Sequence, residues 1–291
     1  MEKGVIIKGI GGFYYVRTSV SEIVESKARG KFRKDNITPM VGDYVEISTD
    51  KEGKGIIETI LPRKNQLVRP PVANIDQVII VFALSNPNPN LQLLDRFLIM
   101  AEQQGLSIVI CINKVDLEME DIKEKIKNIY ENIEYPVIFT SVKDEKGIED
   151  LKHYLNDHIT VFAGPSGVGK SSLLNKINQD YQLETGKVSK KIGRGRHTTR
   201  HVELFHYGEN GYVVDTPGFS SLGVENIEPI DLMNYFPEFR PYLGQCKFNS
   251  CLHMQEPKCA IKEAIGLNKI SSHRYESYQY LLEEIKNIPK Y

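Results

Sequence analysis

The residues best suited to chemistry form the segment GPSGVGKS at 164–171. A glycine followed, after four residues, by Gly-Lys-Ser has the spacing of a phosphate-binding loop. The apolar segment ITVFA precedes it and SSLLNKI follows it, so backbone amides and a helix N-terminus can surround the phosphates. A glycine-rich turn without a ligand would not need the complete motif in this strand–loop–helix frame. We therefore predict a nucleoside triphosphate site with contacts from Gly164, Pro165, Ser166, Gly167, Val168, Gly169, Lys170, Ser171 and Ser172.

Two residues of this loop have individual roles. Lys170 is expected to reach the β- and γ-phosphates, and the hydroxyl of Ser171 is expected to ligate Mg²⁺. The segment DTPG at 215–218 supplies further candidates, because it follows the apolar run YVV. Asp215 can hold Mg²⁺ through water, and the amide of Gly218 can bond the γ-phosphate. On its own, this segment would also fit a Pro-Gly turn capped by Asp.

The segment HTTR at 197–200 lies between these two motifs, in a stretch rich in Gly and Arg. A threonine in such a loop can complete the Mg²⁺ shell only when the γ-phosphate is present, which is the physical basis of a switch. We expect Thr198 and Thr199 to contact the nucleotide. Thr199 is assigned to magnesium, with Thr198 as the alternative.

The segment NKVD at 113–116 indicates which nucleobase the site binds. It ends the apolar run IVICI, at the rim where α/β sheets bind ligands. Asp116 can accept two hydrogen bonds from N1–H and N2–H₂ of guanine, whereas adenine offers no such pair of donors. Asn113 and Lys114 would buttress the base and the neighbouring loops. Ser141, in the later segment TSV, could offer its hydroxyl and nearby amides to the guanine O6.

The order of these motifs along the chain is unusual. They resemble those of TRAFAC-class GTPases, but the base motifs precede the phosphate loop and the two switch segments follow it. The segment GIEDLKHYLN, which resembles the last helix of such a domain, runs directly into ITVFAG, which resembles its first strand. Termini of a domain often lie close together, so joining them preserves the site. The sequence therefore predicts a circularly permuted GTPase domain.

The residue after DTPG bears on catalysis. It is Phe219, whereas many GTPases carry there a Gln that orients the attacking water. A phenyl ring makes no such hydrogen bonds, so we expect slow intrinsic hydrolysis and a catalytic group from elsewhere. His197 is the candidate within the chain, although it could also be an ordinary polar residue of the loop.

Three of the four cysteines form the pattern Cys246-x₄-Cys251-x-His253-x₅-Cys259. Three thiolates and one imidazole make a closed tetrahedral set, typical of a structural zinc site without an open catalytic position. Unligated thiols are the alternative, but the histidine falls where a fourth ligand is needed. We predict one Zn²⁺, which helps a small helical segment to fold. Cys111 lies in an apolar run and is expected in the core.

The surrounding segments divide into three parts. Up to residue 70, short β-forming runs separated by Gly and Pro predict five strands in a small OB or SH3-type barrel. From 71 to 222, apolar runs alternate with amphipathic helices and predict a doubly wound α/β domain, with VELFHY and YVVD as an antiparallel pair at the sheet edge. From 223 to 291, short Pro-interrupted helices and the amphipathic segment SSHRYESYQYLLEEIKNI surround the cysteines.

Composition indicates a globular protein of the cytoplasm. No apolar run of about 18 residues is present, and the first residues lack a signal-peptide core. The net charge of −1 argues against a polyanionic partner, but the local pattern differs. Residues 27–34 carry five basic residues and no acid, and 187–200 carry six and no acid. Such runs can be solvated surface, yet two of them interleaved with glycine favour a phosphate-rich partner.

Taken over its whole length, the chain resembles the RsgA family of GTPases dependent on the small ribosomal subunit. The resemblance rests on RGKFRK, PMVGDYVEI, NKVD, GPSGVGKS, GRGRHTTR, DTPGF and CKFNSCLHMQEPKCA. It implies an OB-fold, a permuted GTPase domain and a helical zinc domain. It also implies binding to the 30S subunit and its 16S rRNA late in maturation, GTP hydrolysis stimulated by that subunit, and a catalytic role for His197. TSV departs from the usual Ser-Ala of the second base motif.

Two other functions are alternatives to this one. A permuted GTPase of large-subunit assembly would share the motif order but not the barrel and Cys₃His flanks. An RNA-binding scaffold that holds GTP only as a structural ligand would fit Phe219. Nothing in the sequence demands a dimer, so a monomer is expected.

Overall fold

The computed structural model describes residues 1–20, 22–34, 36–67, 71–117, 119–177, 202–215, 223–224 and 226–288. The chain divides into two compact units. The first unit comprises residues 1–79, 149–163 and 170–221, and the second comprises 80–148, 164–169 and 222–291.

The first unit begins with a closed five-stranded barrel. Its strands are β1 (Glu2–Ile10), β2 (Phe13–Thr18), β3 (Ile23–Ala28), β4 (Tyr44–Thr49) and β5 (Gly55–Ile60), with α1 (Gly30–Lys34) between β3 and β4. The order is β1-β2-β3-β5-β4, and β4 returns to pair with β1. The β3–β5 pair is parallel and the other barrel pairs are antiparallel. The small barrel of OB type predicted from the sequence is confirmed.

Alternating side chains explain why these segments form a barrel. The core is formed by apolar residues that are completely buried, namely Ile6, Val16, Val45, Ile47 and Ile57. Along β4, buried positions alternate with more exposed ones, which is the period of a strand with one face on a core. Strands from the start of the barrel (β1 and β2) and from its end (β4 and β5) therefore both supply residues to its core.

In the rest of the chain, strands and helices alternate from residue 77 to residue 177. In chain order they are β6 (Gln66–Leu67), β7 (Val72–Ala73), β8 (Gln77–Ala83), α2 (Leu91–Gln103), β9 (Ser107–Asn113), α3 (Glu120–Tyr130), β10 (Val137–Phe139), α4 (Ile148–His153), β11 (Ile159–Ala163), α5 (Lys170–Ile177), β12 (Glu203–Tyr207), β13 (Gly211–Asp215), α6 (Ala260–Gly266) and α7 (Ser272–Asn287). This confirms the predicted α/β alternation. Among the described residues, no helix is both long and apolar enough to cross a membrane.

The first unit also contains β11, β12 and β13. β13 pairs in parallel with β11 and antiparallel with β12. β12 in turn pairs with β1 of the barrel, where Nζ of Lys8 lies 2.8 Å from Oε2 of Glu203. The predicted antiparallel pair is present, but its predicted place at the sheet edge is wrong. Its partner strand lies near the start of the chain, and no local pattern could show that pairing.

The second unit contains the end of β8 and the whole of β9, and the base motif begins at the last residue of β9. All seven residues of β8 are buried, as are six of the seven in β9, and β9 pairs in parallel with β10. α2 begins after Asn90, whose side chain accepts a hydrogen bond of 3.0 Å from the amide of Leu93. Leu94, Phe97 and Leu98 form the buried stripe of this helix.

The helical segment after residue 222 belongs to the same compact unit. It consists of 3₁₀ turns at 232–235 and 237–242, followed by α6 and α7. Its core is aromatic: the rings of Phe236 and Phe239 are stacked with centroids 5.1 Å apart, and Tyr278 contacts both. The predicted amphipathic helix is confirmed as α7, which buries Leu281, Leu282 and Ile285 among other residues.

A buried ion network joins α7 to α2 within this unit. The side chain of Arg274 is completely buried, with Nη1 2.7 Å from Oδ1 of Asp95 and Nε 2.6 Å from Oε1 of Glu238. The hydroxyl of Tyr130 donates to Asp95 at 2.8 Å. Burial acts to raise the pKa of Asp95, but Arg274 and hydrogen bonds from neighbouring side chains hold that pKa below its ordinary value. The carboxylate is therefore kept ionised inside the protein.

Candidate guanine nucleotide site and metal centre

The phosphate loop follows β11 and depends on glycine at two close approaches. Gly164 has φ +131°, and a Cβ there would lie 2.1 Å from the carbonyl oxygen of Val81. Gly169 has φ +99°, and a Cβ there would lie 2.4 Å from Nδ2 of Asn113. Other residue types rarely adopt such φ values, and the space for their side chains is already filled. The glycines of the motif are thus required by the fold of the loop itself.

Asn113 links the base motif to the phosphate loop. It ends β9 and is 2% exposed. Its Nδ2 donates to the carbonyl oxygen of Val168 at 2.9 Å, and its Oδ1 accepts from the hydroxyl of Thr140 at 3.1 Å. Both ends of the side-chain amide are therefore occupied within the protein. Asn113 fixes the position of the loop relative to β9.

Lys114 makes a second connection to the same loop. Its backbone is left-handed, with φ +64°, and its Nζ donates to the carbonyl oxygen of Gly167 at 2.8 Å. The same Nζ also donates to the carbonyl of Asn86, in the Pro- and Asn-rich segment after β8. The ammonium group thus holds together two loops at the rim of the sheet.

Asp116 is oriented by Ser141. The hydroxyl of Ser141 donates to Oδ1 of Asp116 at 2.8 Å and accepts from the amide of Asp144 at 3.0 Å. Ser141 is completely buried, while Asp116 lies in a short 3₁₀ turn and is partly exposed. The carboxylate is accordingly held in one orientation at the surface of the rim, as recognition of paired N–H donors requires.

The remaining loop residues begin α5. Lys170, Ser171 and Ser172 form its first turn, in the first compact unit. Burial lowers the pKa of Lys170. A phosphate next to its ammonium group would favour the charged form and oppose that effect. The side-chain types and their position at a helix N-terminus match what binding of phosphate requires.

Several predicted residues lie outside the part of the chain that the structure describes. They are His197, Thr198, Thr199, Gly218 and Phe219, together with the side chain of Asp215. The backbone of Asp215 ends β13, as the sequence predicted. The roles assigned to these residues stay predictions.

Two residues of the site were not singled out from the sequence. Thr140 positions Asn113 through its hydroxyl, and the backbone carbonyl of Asn86 accepts a hydrogen bond from the ammonium group of Lys114. Both follow or end strands at the carboxyl rim, which is the signal that could have identified them.

The Cys₃His set converges as the spacing predicted. The four ligand atoms of Cys246, Cys251, His253 and Cys259 lie within 4.8 Å of one another. Sγ of Cys246 is 3.9 Å from that of Cys259, and Nδ1 of His253 is 3.3–3.5 Å from the three sulfurs. Tetrahedral zinc with bonds of about 2.3 Å to sulfur and about 2.0 Å to nitrogen would set these separations at about 3.8 and 3.5 Å. The residues therefore fit a metal ion bound through Nδ1.

The surroundings of His253 keep it in this geometry. Its backbone has φ +61°, and its carbonyl accepts from the hydroxyl of Tyr275 at 2.6 Å. Glu256 accepts hydrogen bonds of 2.8 Å from the amides of Leu252 and Met254, on either side of the histidine. Burial lowers the pKa of His253, which favours the neutral imidazole that a metal needs.

Comparison with known families covers nearly the whole chain. Residues 60–225 match the family described as RsgA GTPase, and residues 3–57 match the RsgA N-terminal domain. A relative from Alkaliphilus metalliredigens is 51% identical over the full length of both chains. Another, from Caldanaerobacter subterraneus subsp. tengcongensis, is 52% identical and covers 99% of this chain and 97% of its own. Both relatives carry the name small ribosomal subunit biogenesis GTPase RsgA.

Solved structures show the same architecture. YjeQ from Thermotoga maritima superposes with a TM-score of 0.88 at 40% identity and 99% coverage of both chains. YloQ, described as a circularly permuted GTPase, superposes with a TM-score of 0.85 at 40% identity, covering 99% of this chain and 96% of its own. Together with the motif order, these similarities confirm the permuted architecture predicted from the sequence.

Proposed function

The chain belongs to the RsgA GTPase family, and we propose that it hydrolyses GTP on the small ribosomal subunit, late in the maturation of that subunit. The contact between Asn113 and Val168 is the observation that carries the nucleotide part of this proposal. It places the predicted base motif against the predicted phosphate loop, although the two lie 55 residues apart in the chain. The ribosomal part is supported by the name of the full-length relatives.

Guanine is selected by a carboxylate that is already oriented. Asp116 accepts from N1–H and N2–H₂ of the base, while Ser141 holds the carboxylate through its 2.8 Å hydrogen bond. Lys170 and the amides from Gly164 to Gly169 bind the phosphates. Ser171 and Thr199 would hold Mg²⁺, with Asp215 contributing through water, and the ion would supply positive charge that stabilises the phosphates.

His197 acts on the attacking water. Phe219 occupies the position where other GTPases place a water-orienting Gln, and a phenyl ring forms no such hydrogen bond. Intrinsic turnover is therefore slow, and the subunit stimulates it by bringing His197 into position. A His197→Ala variant should bind GTP normally and lose stimulated turnover by about 10²-fold or more. Stimulated turnover that persists would remove the role assigned to this residue.

RNA contacts come from the two basic runs. Residues 27–34 belong to the barrel, and 187–200 carry Arg194, Arg196 and Arg200 next to the predicted magnesium threonines. Because the second run includes the predicted switch, its arginines contact 16S rRNA only in the GTP-bound form. Binding is therefore sensitive to salt, since each phosphate contact releases counterions. The protein acts as a cytoplasmic monomer, and its Cys₃His set holds structural Zn²⁺.

Co-sedimentation with purified subunits tests this proposal. The chain is mixed with 30S or with 50S subunits, in the presence of GDP or of a non-hydrolysable GTP analogue. We expect tight binding only to 30S and only with the analogue. Equal affinity for 30S with GDP and with the analogue would refute the proposed switch. An affinity for 50S equal to that for 30S would favour a role in large-subunit assembly.

A further inference from the structure

A second concave site lies in the first unit, and none of the residues that line it belongs to the nucleotide motifs. It is a cavity of about 300 Å³, at the lower end of the range for small-molecule sites. Its walls come from β1, β2 and β4 of the barrel and from the turn between β12 and β13. Lys3, Val5, Arg17, Tyr44 and Tyr212 are among the residues that line it.

The strand register of the barrel explains how the walls of the cavity meet. Val5 pairs with Arg17 on β2 and with Tyr44 on β4, so the three residues form one row across three strands. Side chains in one such row project from the same face of the sheet. Val5 is 4% exposed and Tyr44 is 43% exposed, so an apolar floor lies between a cation and an aromatic ring. Lys3 is two positions from Val5 and lies on the same face.

Positive charge dominates the polar part of the cavity. Neither Lys3 nor Arg17 forms an ion pair with a described residue, and Glu209 is the one acid among the lining residues. Glu46 lies opposite Lys3 in the strand register but outside the lining. A ligand with negative charge and hydrogen-bonding groups would complement these side chains.

The aromatic part consists of Tyr44 and Tyr212. The ring of Tyr212 is held edge-on against His206, with centroids 5.5 Å apart. Burial raises the pKa of Tyr212, and the charge of Arg17 opposes this, so the two side chains are close enough to interact. Aromatic faces beside cations are the combination that binds a nucleobase and its phosphate together.

We propose that this cavity is a nucleotide-binding subsite, separate from the GTP site, that stacks one base on Tyr44 and Tyr212 and binds its phosphate with Arg17 and Lys3. The proposal rests on the proposed RNA-binding function for its biological source, a nucleotide of an RNA strand. A free nucleoside monophosphate offers the same chemistry.

Binding of a fluorescein-labelled decamer of uridine tests the subsite by fluorescence anisotropy. Saturating GDP is present throughout, so that the GTP site is filled. Tyr44→Ala and Arg17→Gln should each weaken binding by about fivefold or more, whereas Tyr44→Phe should bind as the unmodified chain does. Arg17→Gln should also lower the salt dependence of binding by about one phosphate contact.

Lys51→Gln is the matched control. It removes an exposed charge from the barrel, beyond the far end of β4 and about 20 Å from Tyr44. It should leave binding unchanged. If Lys51→Gln weakens binding as much as Arg17→Gln does, the loss of affinity comes from diffuse surface charge, and the subsite is refuted.

Competition identifies the source of the nucleotide. Displacement of the labelled decamer by uridine monophosphate supports a free nucleotide, and displacement only by unlabelled decamer supports a strand. No binding of the decamer by the unmodified chain at about 100 μM, the weak limit of non-specific affinity, would overturn the proposal. Equal affinities of the unmodified chain, Tyr44→Ala and Arg17→Gln would also overturn it. Neither result would touch stimulation of GTP turnover by 30S, which reports on the proposed function separately.

Discussion

The side-chain amide of Asn113 donates a hydrogen bond of 2.9 Å to the backbone carbonyl of Val168. Asn113 belongs to the predicted base motif and Val168 to the predicted phosphate loop, which in this chain comes later in sequence. A permuted order of motifs is therefore compatible with an intact site, because recognition depends on where strands end and not on the order in which they are connected.

Replacing Asn113 by alanine should loosen the phosphate loop. The change removes the donor to Val168 and leaves the buried hydroxyl of Thr140 with the sulfur of Cys111 as its remaining partner. We expect a loss of about 1–3 kcal/mol in the free energy of unfolding and at least about tenfold weaker GDP binding. Urea denaturation and titration with a fluorescent GDP analogue measure these effects. Unchanged GDP affinity would show that the contact does not organise the loop.

Gly169→Ala should be more damaging. The new Cβ would lie 2.4 Å from Nδ2 of Asn113 at a backbone φ of +99°. We expect GDP binding to be lost, with a destabilisation of about 1–3 kcal/mol. Gly266→Ala is the matched control, because a Cβ there meets no atom within 4 Å in α6. Normal nucleotide binding by Gly169→Ala would contradict the observed loop geometry.

Asp116→Asn should alter the choice of base. The carboxylate accepts from two N–H groups of guanine, whereas an amide can donate to the O2 that xanthine carries in place of N2–H₂. We expect GTP binding to weaken by about 10²-fold and binding of xanthosine triphosphate to improve. Competition between the two triphosphates for one labelled nucleotide measures the ratio. An unchanged ratio would remove Asp116 from base recognition.

Sequence patterns identify candidate motifs because each motif needs particular residue types at a fixed local spacing. The chemistry of GPSGVGKS, NKVD and the Cys₃His set follows from such spacing. Contacts between distant segments were not predictable in the same way. Glu203 pairs with Lys8 of the barrel, which is why the predicted edge strand is not at an edge.

Sequence patterns also did not predict which charged side chains are buried. Arg274 lies on the apolar face of α7, and arginine is seldom fully buried. Its two acidic partners come from α2 and from a 3₁₀ turn, so only the folded chain reveals them. The same holds for Thr140 and Asn86, whose roles depend on which strand ends lie side by side.

Asp95→Asn should lower the free energy of unfolding at neutral pH. It should also make that free energy less dependent on pH in the acidic range. Because the folded-state pKa of Asp95 is depressed, its contribution is present above the ordinary carboxyl pKa of about 4 and is lost as pH falls through the folded value. We expect a loss of about 3 kcal/mol at pH 7, because Arg274 keeps a buried charge with fewer partners. The difference from the unmodified chain should narrow at low pH. Urea denaturation at several pH values measures both effects.

An exposed ion pair in the same unit serves as the control for that experiment. Arg240 contacts Glu102 at 2.7 Å, but its side chain is 47% exposed. Arg240→Gln should change the free energy of unfolding by less than about 1 kcal/mol. If both variants behaved alike, the buried network would have no special role in joining α7 to α2.

Cys251→Ala should remove the bound metal. The thiol is one of four converging ligand atoms, and three remaining ligands leave the site open. We expect loss of the single zinc ion from purified protein and unfolding of the helical segment after residue 222. Cys111→Ala is the control, because Cys111 is buried in β9, outside the cluster. Zinc analysis measures the metal content, and circular dichroism measures the folding of the helical segment. Full zinc content in Cys251→Ala would contradict the assignment.

Steady-state GTP turnover with purified ribosomal subunits tests whether this chain is a GTPase stimulated by the small subunit. The chain is assayed alone, with 30S subunits and with 50S subunits under the same conditions. We predict slow turnover alone, strong stimulation by 30S and none by 50S. Turnover that neither subunit changes would contradict a ribosome-stimulated GTPase, and stimulation by 50S would contradict its assignment to the small subunit.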